Sequence, residues 1–276
     1  MHDELQQLNA RIEQRHWWFV ARRQILTRLV RRLLPPGQGK TVLDIGCGTG
    51  STLAALKHDY RCVGVDTSAE AVRLGGLRHP EVRFFAIPDW AHAVDIFGQA
   101  DLVLLNDVLE HIEHEAACFG QLVESVRAGT LFLITVPADP ALWSSHDVVH
   151  GHFRRYTWDT FRALWGDLPV EEILLSALNR RLYPIAKLVR MFSRLRGRAA
   201  GPANTDLVTP AGPINWVLQK IFAGEATRIL AALEGHGSCS RRRSVSLLAV
   251  LRRKAVPAAD DPPGQCTASG EVNREK

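Results

Sequence analysis

Five short apolar runs, "TVLDIG", "RCVGVD", "VRFFAI", "ADLVLLND" and "TLFLITVP", punctuate the chain from Thr41 to Pro137, with helical segments between them. Runs that are apolar throughout, rather than alternating with polar residues, suit strands covered on both faces. Strands that alternate with helices assemble as βαβ units, which build a parallel sheet between two helical layers. That pattern leaves no room for an all-α or all-β fold. Two later runs, "VEEILLSAL" and "SVSLLAVLRR", add further strands, the last of them antiparallel or at the sheet edge. An α/β fold with a mostly parallel seven-stranded sheet is therefore expected.

The remaining segments fill in the helices. Residues 4–34 read as one helix, with Ile25, Leu26, Leu29, Val30 and Leu33 at helical spacing before "PPGQGK" stops it. "STLAALKH", "SAEAVRLGGLR" and "HEAACFGQLVESVRAG" follow, and "TWDTFRALWGD" opens on Thr157 with Asp159 beside it. A basic helical segment (180–198), a Pro- and Gly-containing link (200–213) and an amphipathic helix (214–233) precede the last strand. The organisation read from this is an N-terminal helical lid over 1–36, a main domain over 37–254 that includes a helical insertion at 180–235, and a disordered tail over 255–276.

Composition narrows the setting. With 276 residues and 46% hydrophobic content the chain can bury a core without staples. Cys47, Cys62, Cys118, Cys239 and Cys266 are odd in number and form no C-x-x-C pair, which disfavours a disulfide framework and a zinc ribbon. The start, "MHDELQQLNARIEQRHWWF", is too polar for a signal peptide, and no run of 18 apolar residues exists. A cytoplasmic protein is expected. The net charge of +5 is concentrated in arginine clusters, most of which read as solvated helix faces.

The loop "LDIGCGTG" follows a strand and opens a helix, so backbone N–H groups there can approach a ligand closely. Asp66, ending "VGVD" twenty residues after Gly46, stands where a carboxylate takes both hydroxyls of an adenosine ribose. The spacing G-C-G-T-G departs from the dinucleotide fingerprint G-x-G-x-x-G/A. Asp44 at the strand end would repel a pyrophosphate but would receive a sulfonium or ammonium group. A nicotinamide-dependent oxidoreductase is thereby the weaker reading.

With "VLDIGCGTG", "GVDTS" and "NDVLEHI" in this order and spacing, residues 37–175 resemble the class I S-adenosylmethionine-dependent methyltransferases. The resemblance implies a Rossmann-like seven-stranded methyltransferase fold with S-adenosyl-L-methionine as cofactor. It puts Gly46, Gly48 and Gly50 along the methionine moiety, Asp44 at its ammonium end, Asp66 on the ribose and Asp89 by the adenine. Asn106 and Asp107 would face the methionine part and the methyl group. A closer likeness is to a bacterial subgroup carrying "HWWF-x-x-RR" and "HD…H-x-RRYT" segments, here His16–Arg23 and "SSHDVVHGHFRRYT". That subgroup implies a setting in cell-surface glycan, lipid or secondary-metabolite synthesis. Trp17, Trp18 and Phe19 read either as core packing or as a lid whose aromatic faces lie near a sulfonium; in the lid reading Trp18 is on the substrate side.

"SSHDVVHGHFRRYT" (144–157) follows a parallel strand at its carboxyl end, where open α/β sheets bind ligands. His146, His150 and His152 beside Asp147 could ligate a metal, but no H-E-x-x-H helix or cysteine pair supports one, and no metal is assigned. An acceptor hydroxyl or protonated amine has to lose a proton on methylation, and a histidine titrating near neutrality is the usual agent. His146 is the first candidate for that role and His111 the second. Arg154, Arg155 and Tyr156 either fork onto a substrate anion or pin the loop to acids such as Glu110 or Asp159. His150 and His152 are placed with them on the acceptor side.

In the insertion, Leu182, Ile185, Leu188, Val189, Phe192 and Leu195 share one helical face among seven basic residues. That face either caps the domain, which is the favoured reading, or makes peripheral membrane contact through 180–198. The function expected is methyl transfer to an oxygen, or less favourably a nitrogen, of a small-molecule or lipid-linked acceptor. The rivals are an oxidoreductase and a non-catalytic, membrane-associated accessory protein. Nucleic acid is not expected as partner, because "NDVLEHI" lacks the Asn/Asp-Pro-Pro-aromatic sequence of many base methyltransferases. The acceptor's identity and the oligomeric state stay open.

Overall fold

The apolar runs become the strands their composition suits. They are β1 (Thr41–Ile45), β2 (Arg61–Asp66), β3 (Arg83–Ala86), β4 (Leu102–Asn106) and β5 (Leu131–Pro137), every residue of the last two being buried. A computed structural model describes residues 3–37, 39–88, 94–196, 201, 205–236 and 241–255. With β6 (Val170–Leu178) and β7 (Ser246–Arg253) the sheet has seven strands in the order β3-β2-β1-β4-β5-β7-β6. The first five are parallel, and β7 runs antiparallel to both β5 and β6. The last strand is thus antiparallel but internal, with Leu247–Leu251 buried between two neighbours.

Side chains on the two sheet faces enter separate cores. Leu43, Ile45, Val103, Leu105 and Phe132 point into one, and Val42, Leu102, Leu104, Leu131 and Leu133 into the other. The second core is closed by N-terminal residues. The single helix expected over 4–34 is two, α1 (Asp3–Ile12) and α2 (Trp17–Leu33), because His16 caps α2 by accepting the Trp18 N–H on Nδ1 at 3.2 Å. Ala21, Ile25, Leu26, Leu29 and Val30 of α2 are completely buried against the sheet.

Short helices α3 (Ser51–Ala54), α4 (Ala69–Arg78), α5 (Val94–Phe97) and α6 (Glu115–Ser125) connect the parallel strands. Beyond β5 come α7 (Ser145–His150), inside the histidine-rich stretch, and α8 (Trp158–Ala163), capped by Thr157, whose Oγ1 accepts the Thr160 N–H. The insertion holds α9 (Tyr183–Arg196), α10 (Gly212–Ala223) and α11 (Glu225–Leu233). The helix expected over 214–233 breaks at Gly224, where a side chain would meet Lys220 O at 3.1 Å and where the buried Glu225 accepts the Arg181 N–H.

The favoured reading of the basic helix is corrected. Pro184 lies in the first turn of α9 as expected, yet of the apolar face only Leu182, just before the helix, packs on the domain. Ile185, Leu188, Phe192 and Leu195 are 52, 50, 47 and 77% exposed, whereas Arg190 is buried. The inversion has an electrostatic cause: Arg190 reaches two acids, Asp147 and Asp206, inside the molecule.

Candidate active site

The connections after β1 and β4 leave in opposite directions, so a crevice opens at the carboxyl ends of these neighbouring strands. Gly46, Gly48 and Gly50 cross its floor at φ +69°, +55° and +79°, a region that L side chains seldom adopt. A Cβ on Gly46 would sit 2.6 Å from Val108 Cγ2, and one on Gly50 would sit 2.4 Å from Phe84 Cζ. A Cβ on Gly48 would meet nothing within 4 Å, so its side-chain direction is open space, while Gly50 is demanded by packing. Asp66 closes β2 with one carboxylate oxygen accepting the Gly48 N–H and the other the Ser68 N–H, each at 2.8 Å. Asp44 is buried behind the loop. Burial pushes its carboxyl up to about 7, with Arg22 opposing and Asp66 adding to the rise.

At the tip of β4, Asn106 is buried with its side chain against the Asp44 carboxyl. Asp107 follows at φ +57°, tolerable for aspartate but strained. It is held by its own N–H on Thr135 O and by Arg22, whose Nη1 lies 2.7 Å from Oδ2. Arg22 also donates to Asn106 O at 3.0 Å and lies over the Trp18 ring, 4.8 Å from its centroid. Trp18 therefore supports a guanidinium that grips the strand tip. Arg22 escaped the site prediction although it lies within "HWWFVARR"; only the fold brings α2 to β4.

A cavity of about 550 Å³ occupies the crevice, with Gly46, Asp66, Ile87, Asp107, His111 and His150 among its lining residues. Gly46, Asp66 and Asp107, three of the residues expected to hold the cofactor, thus share one wall system with two of the predicted histidines. Asp89 lies outside the described residues. Neither His146 nor His152, Arg154, Arg155 or Tyr156 lines the cavity.

The rest of the histidine-rich stretch is organised around Asp147, a fully buried residue. Arg155 Nε, at 2.8 Å, and His152 Nδ1, at 3.0 Å, both donate to Oδ1, and Arg190 Nη1 reaches Oδ2 at 3.1 Å. Oδ2 also accepts the Ser144 N–H. Although burial alone would raise it, these partners hold the Asp147 carboxyl far below the usual range. Of the two readings of these residues, the anion fork is therefore the one that fails. Arg155 spends its donors on Asp147 and on Ala138 O, and Arg154 ion-pairs with Glu115 and donates to Glu113 O. Tyr156 is a core residue, 1% exposed, packed edge-on to Phe161. Loop pinning is what these residues do, through Asp147 and Glu115 rather than Glu110 or Asp159.

The histidines also change rank. Burial drives the His146 imidazole well below neutrality and His111 down to about 4. His146 Nδ1 accepts the Asp206 N–H at 3.1 Å, so in the neutral ring the proton is on Nε2 and no lone pair remains for a substrate proton. His150 is the reverse: Nδ1 donates to His146 O at 2.8 Å, leaving the Nε2 lone pair on a residue of the cavity wall. The expectation that His146 is the base fails on this tautomer argument.

A sheet with this strand order, a glycine turn after β1 and acids at the ends of β1 and β2 define the Rossmann-like methyltransferase class. The sequence profile of a methyltransferase domain family matches residues 17–168, more than half of the chain, and the chain belongs to that family, whose cofactor is S-adenosylmethionine. It is 33% identical over 119 residues to a trans-aconitate 2-methyltransferase of Azoarcus sp. (strain BH72), covering 40% of this chain and 46% of that one. It is 26% identical over 179 residues to the ajmaline N-methyltransferase of Rauvolfia serpentina, covering 56% and 60%. The match thus spans about half the length of these relatives. Among solved structures, a chain from the Haloferax volcanii complex of the Trm112 methyltransferase activator superposes with a TM-score of 0.55. It covers 93% of this chain and 97% of its own length, and at 17% identity it bears on the fold alone.

Proposed function

We propose that the chain transfers the methyl group of S-adenosylmethionine to an oxygen of a small-molecule or lipid-linked acceptor. The observation that carries this reading is the cavity itself, whose lining brings Gly46, Asp66 and Asp107 together with His111 and His150. In this reading the cofactor lies along the glycine turn, with Asp66 on its ribose hydroxyls and its ammonium group towards Asp44 and Asn106. Asp107, fixed by Arg22, holds the rim near the methyl group. Transfer is an in-line displacement, so alignment of acceptor and methyl carbon is the main task of the walls. Oxygen is preferred over nitrogen because His150 presents a lone pair to a hydroxyl proton. The named relatives are a trans-aconitate 2-methyltransferase and an ajmaline N-methyltransferase, so they do not single out one acceptor atom.

The lid reading narrows to α1 and the head of α2. Glu13, after α1, accepts from Thr49 Oγ1 of the glycine turn at 2.6 Å and from Arg78. The "HWWF-x-x-RR" and "HD…H-x-RRYT" segments support placing the chain in the bacterial subgroup concerned with cell-surface or secondary-metabolite synthesis. A lipid-linked acceptor accords with the outward apolar face of α9, which we read as a membrane-contacting element. No described helix is long and apolar enough to cross a membrane.

Isothermal titration tests the site. S-adenosylmethionine and S-adenosylhomocysteine should bind the wild type, and Asp66→Ala or Gly48→Val should abolish binding. A valine at Gly48 puts its side chain into the open space and forces a β-branched residue to positive φ. Retained binding in both variants would sink the assignment, and binding of NAD(H) instead would favour the oxidoreductase.

A further inference from the structure

Glu110 is 0% exposed, and neither of its carboxylate oxygens has a hydrogen-bond partner from any other described residue. An isolated carboxylate at that depth is costly unless something neutralises it. It is not alone. His111 and His152 stand against it, their rings 4.7 Å apart and nearly perpendicular, and one ligand atom from each of the three side chains falls within 4.8 Å of the others. Donors about 2.0–2.2 Å from a common ion lie roughly 3–4 Å apart, so small side-chain rotations close this set.

Two further features suit a ligand role. His152 Nδ1 donates to Asp147 Oδ1 at 3.0 Å, which leaves the lone pair on Nε2. A carboxylate behind the far nitrogen is the usual way a metal-binding imidazole is oriented. Asp147 is in turn fixed by Arg155 and Arg190, so the imidazole has a rigid support. The Phe153 N–H donates to Glu110 O at 2.7 Å, locking the loop that carries His152 to the 3₁₀ turn Leu109–His111 that carries the other two groups.

The geometry points to a divalent transition-metal site formed by Glu110, His111 and His152. Two imidazoles and one carboxylate suit zinc, cobalt, manganese or iron rather than magnesium or calcium. This donor set differs from the His146, His150 and His152 group that the sequence suggests, because Glu110 enters from the turn after β4. Since His111 lines the cavity, the ion would stand beside the acceptor. The role, which rests on the methyltransferase reading, is to bind the acceptor oxygen and make its proton easier to lose. The hydroxyl proton passes to His150 or solvent, the oxygen forms its bond to the methyl carbon, and the carbon–sulfur electron pair returns to sulfur, releasing S-adenosylhomocysteine.

The test is Co²⁺ titration of the chelator-stripped chain, followed by visible absorption and by X-ray absorption at the cobalt edge. One Co²⁺ per chain with two imidazoles in its shell is expected, and Glu110→Gln and His152→Ala should each weaken binding at least about tenfold. No stoichiometric binding, undiminished binding in both variants, or a shell of thiolates or of oxygens only would overturn the site. Thermal melts establish that the variants fold, and the wild-type spectrum decides the question if they do not. S-adenosylhomocysteine titration runs in parallel. A wild-type chain that binds the product but no Co²⁺ removes the metal site alone, whereas a wild-type chain that binds Co²⁺ but no product removes the methyltransferase reading alone.

Discussion

Asp44 shows how one residue can tie cofactor affinity to pH. Folded, it keeps its proton up to about pH 7, whereas an aspartate in the unfolded chain loses it near 4. Between those values the folded state binds more protons, so Asp44's contribution is full below about pH 4 and is lost as pH rises through 7. A cofactor ammonium placed beside it favours the ionised form. Affinity for S-adenosylhomocysteine should therefore rise from about pH 5.5 to 7.5, with a proton released on binding. Titrations in buffers of different ionisation heat would reveal the proton, and Asp44→Asn should flatten the pH dependence. A pH-independent wild type would refute the pairing. The glycine turn and the position of Asp66 at the end of β2 were legible because their spacing is local. Arg22 was not, since its partners Asn106 and Asp107 lie some 85 positions away and meet it only in the fold.

Among the elements, α9 is the one whose orientation could not be read from its own sequence. Its apolar spacing is evident, and amphipathic helices ordinarily turn such a face inward. Here Arg190 takes the inward position because Asp147 and Asp206 await it, and Leu188, Phe192 and Leu195 are turned outward beside exposed Lys187 and Arg196. This pairing of apolar and basic groups suits an anionic bilayer, each basic residue adding about 1 kcal/mol at its surface. Flotation with vesicles containing phosphatidylglycerol should carry the protein up, and vesicles of phosphatidylcholine alone should do so far less. Phe192→Asp with Leu195→Asp should abolish the effect without altering thermal stability, both residues being exposed. Equal flotation of the double variant would argue against the membrane role. The histidine-rich stretch teaches the same lesson, since its arginines were visible but the buried acid that collects them was not marked as their partner.

At the scale of the whole molecule, the insertion is built into the domain. Trp17 N–H donates to Asn215 Oδ1 and His16 Nε2 to Val208 O, joining the start of α2 to the link and α10. Phe222, Ala226 and Ile229 enter the same core as α2 and the sheet. Phe222→Ala should cost about 3–5 kcal/mol, the usual range for emptying a buried aromatic site. Calorimetry should show one transition, displaced as a unit; two separate transitions would mean that the insertion folds independently. By itself the sequence determined the α/β class, the parallel strands and the glycine turn after β1, because strand burial, glycine conformation and strand–turn–helix order are short-range consequences of residue type. Only the tertiary structure decided which imidazole keeps a usable lone pair, which arginines are already committed, and that Glu110 meets His152. Those outcomes depend on long-range neighbours that compete for the same donors and on burial that no local pattern records.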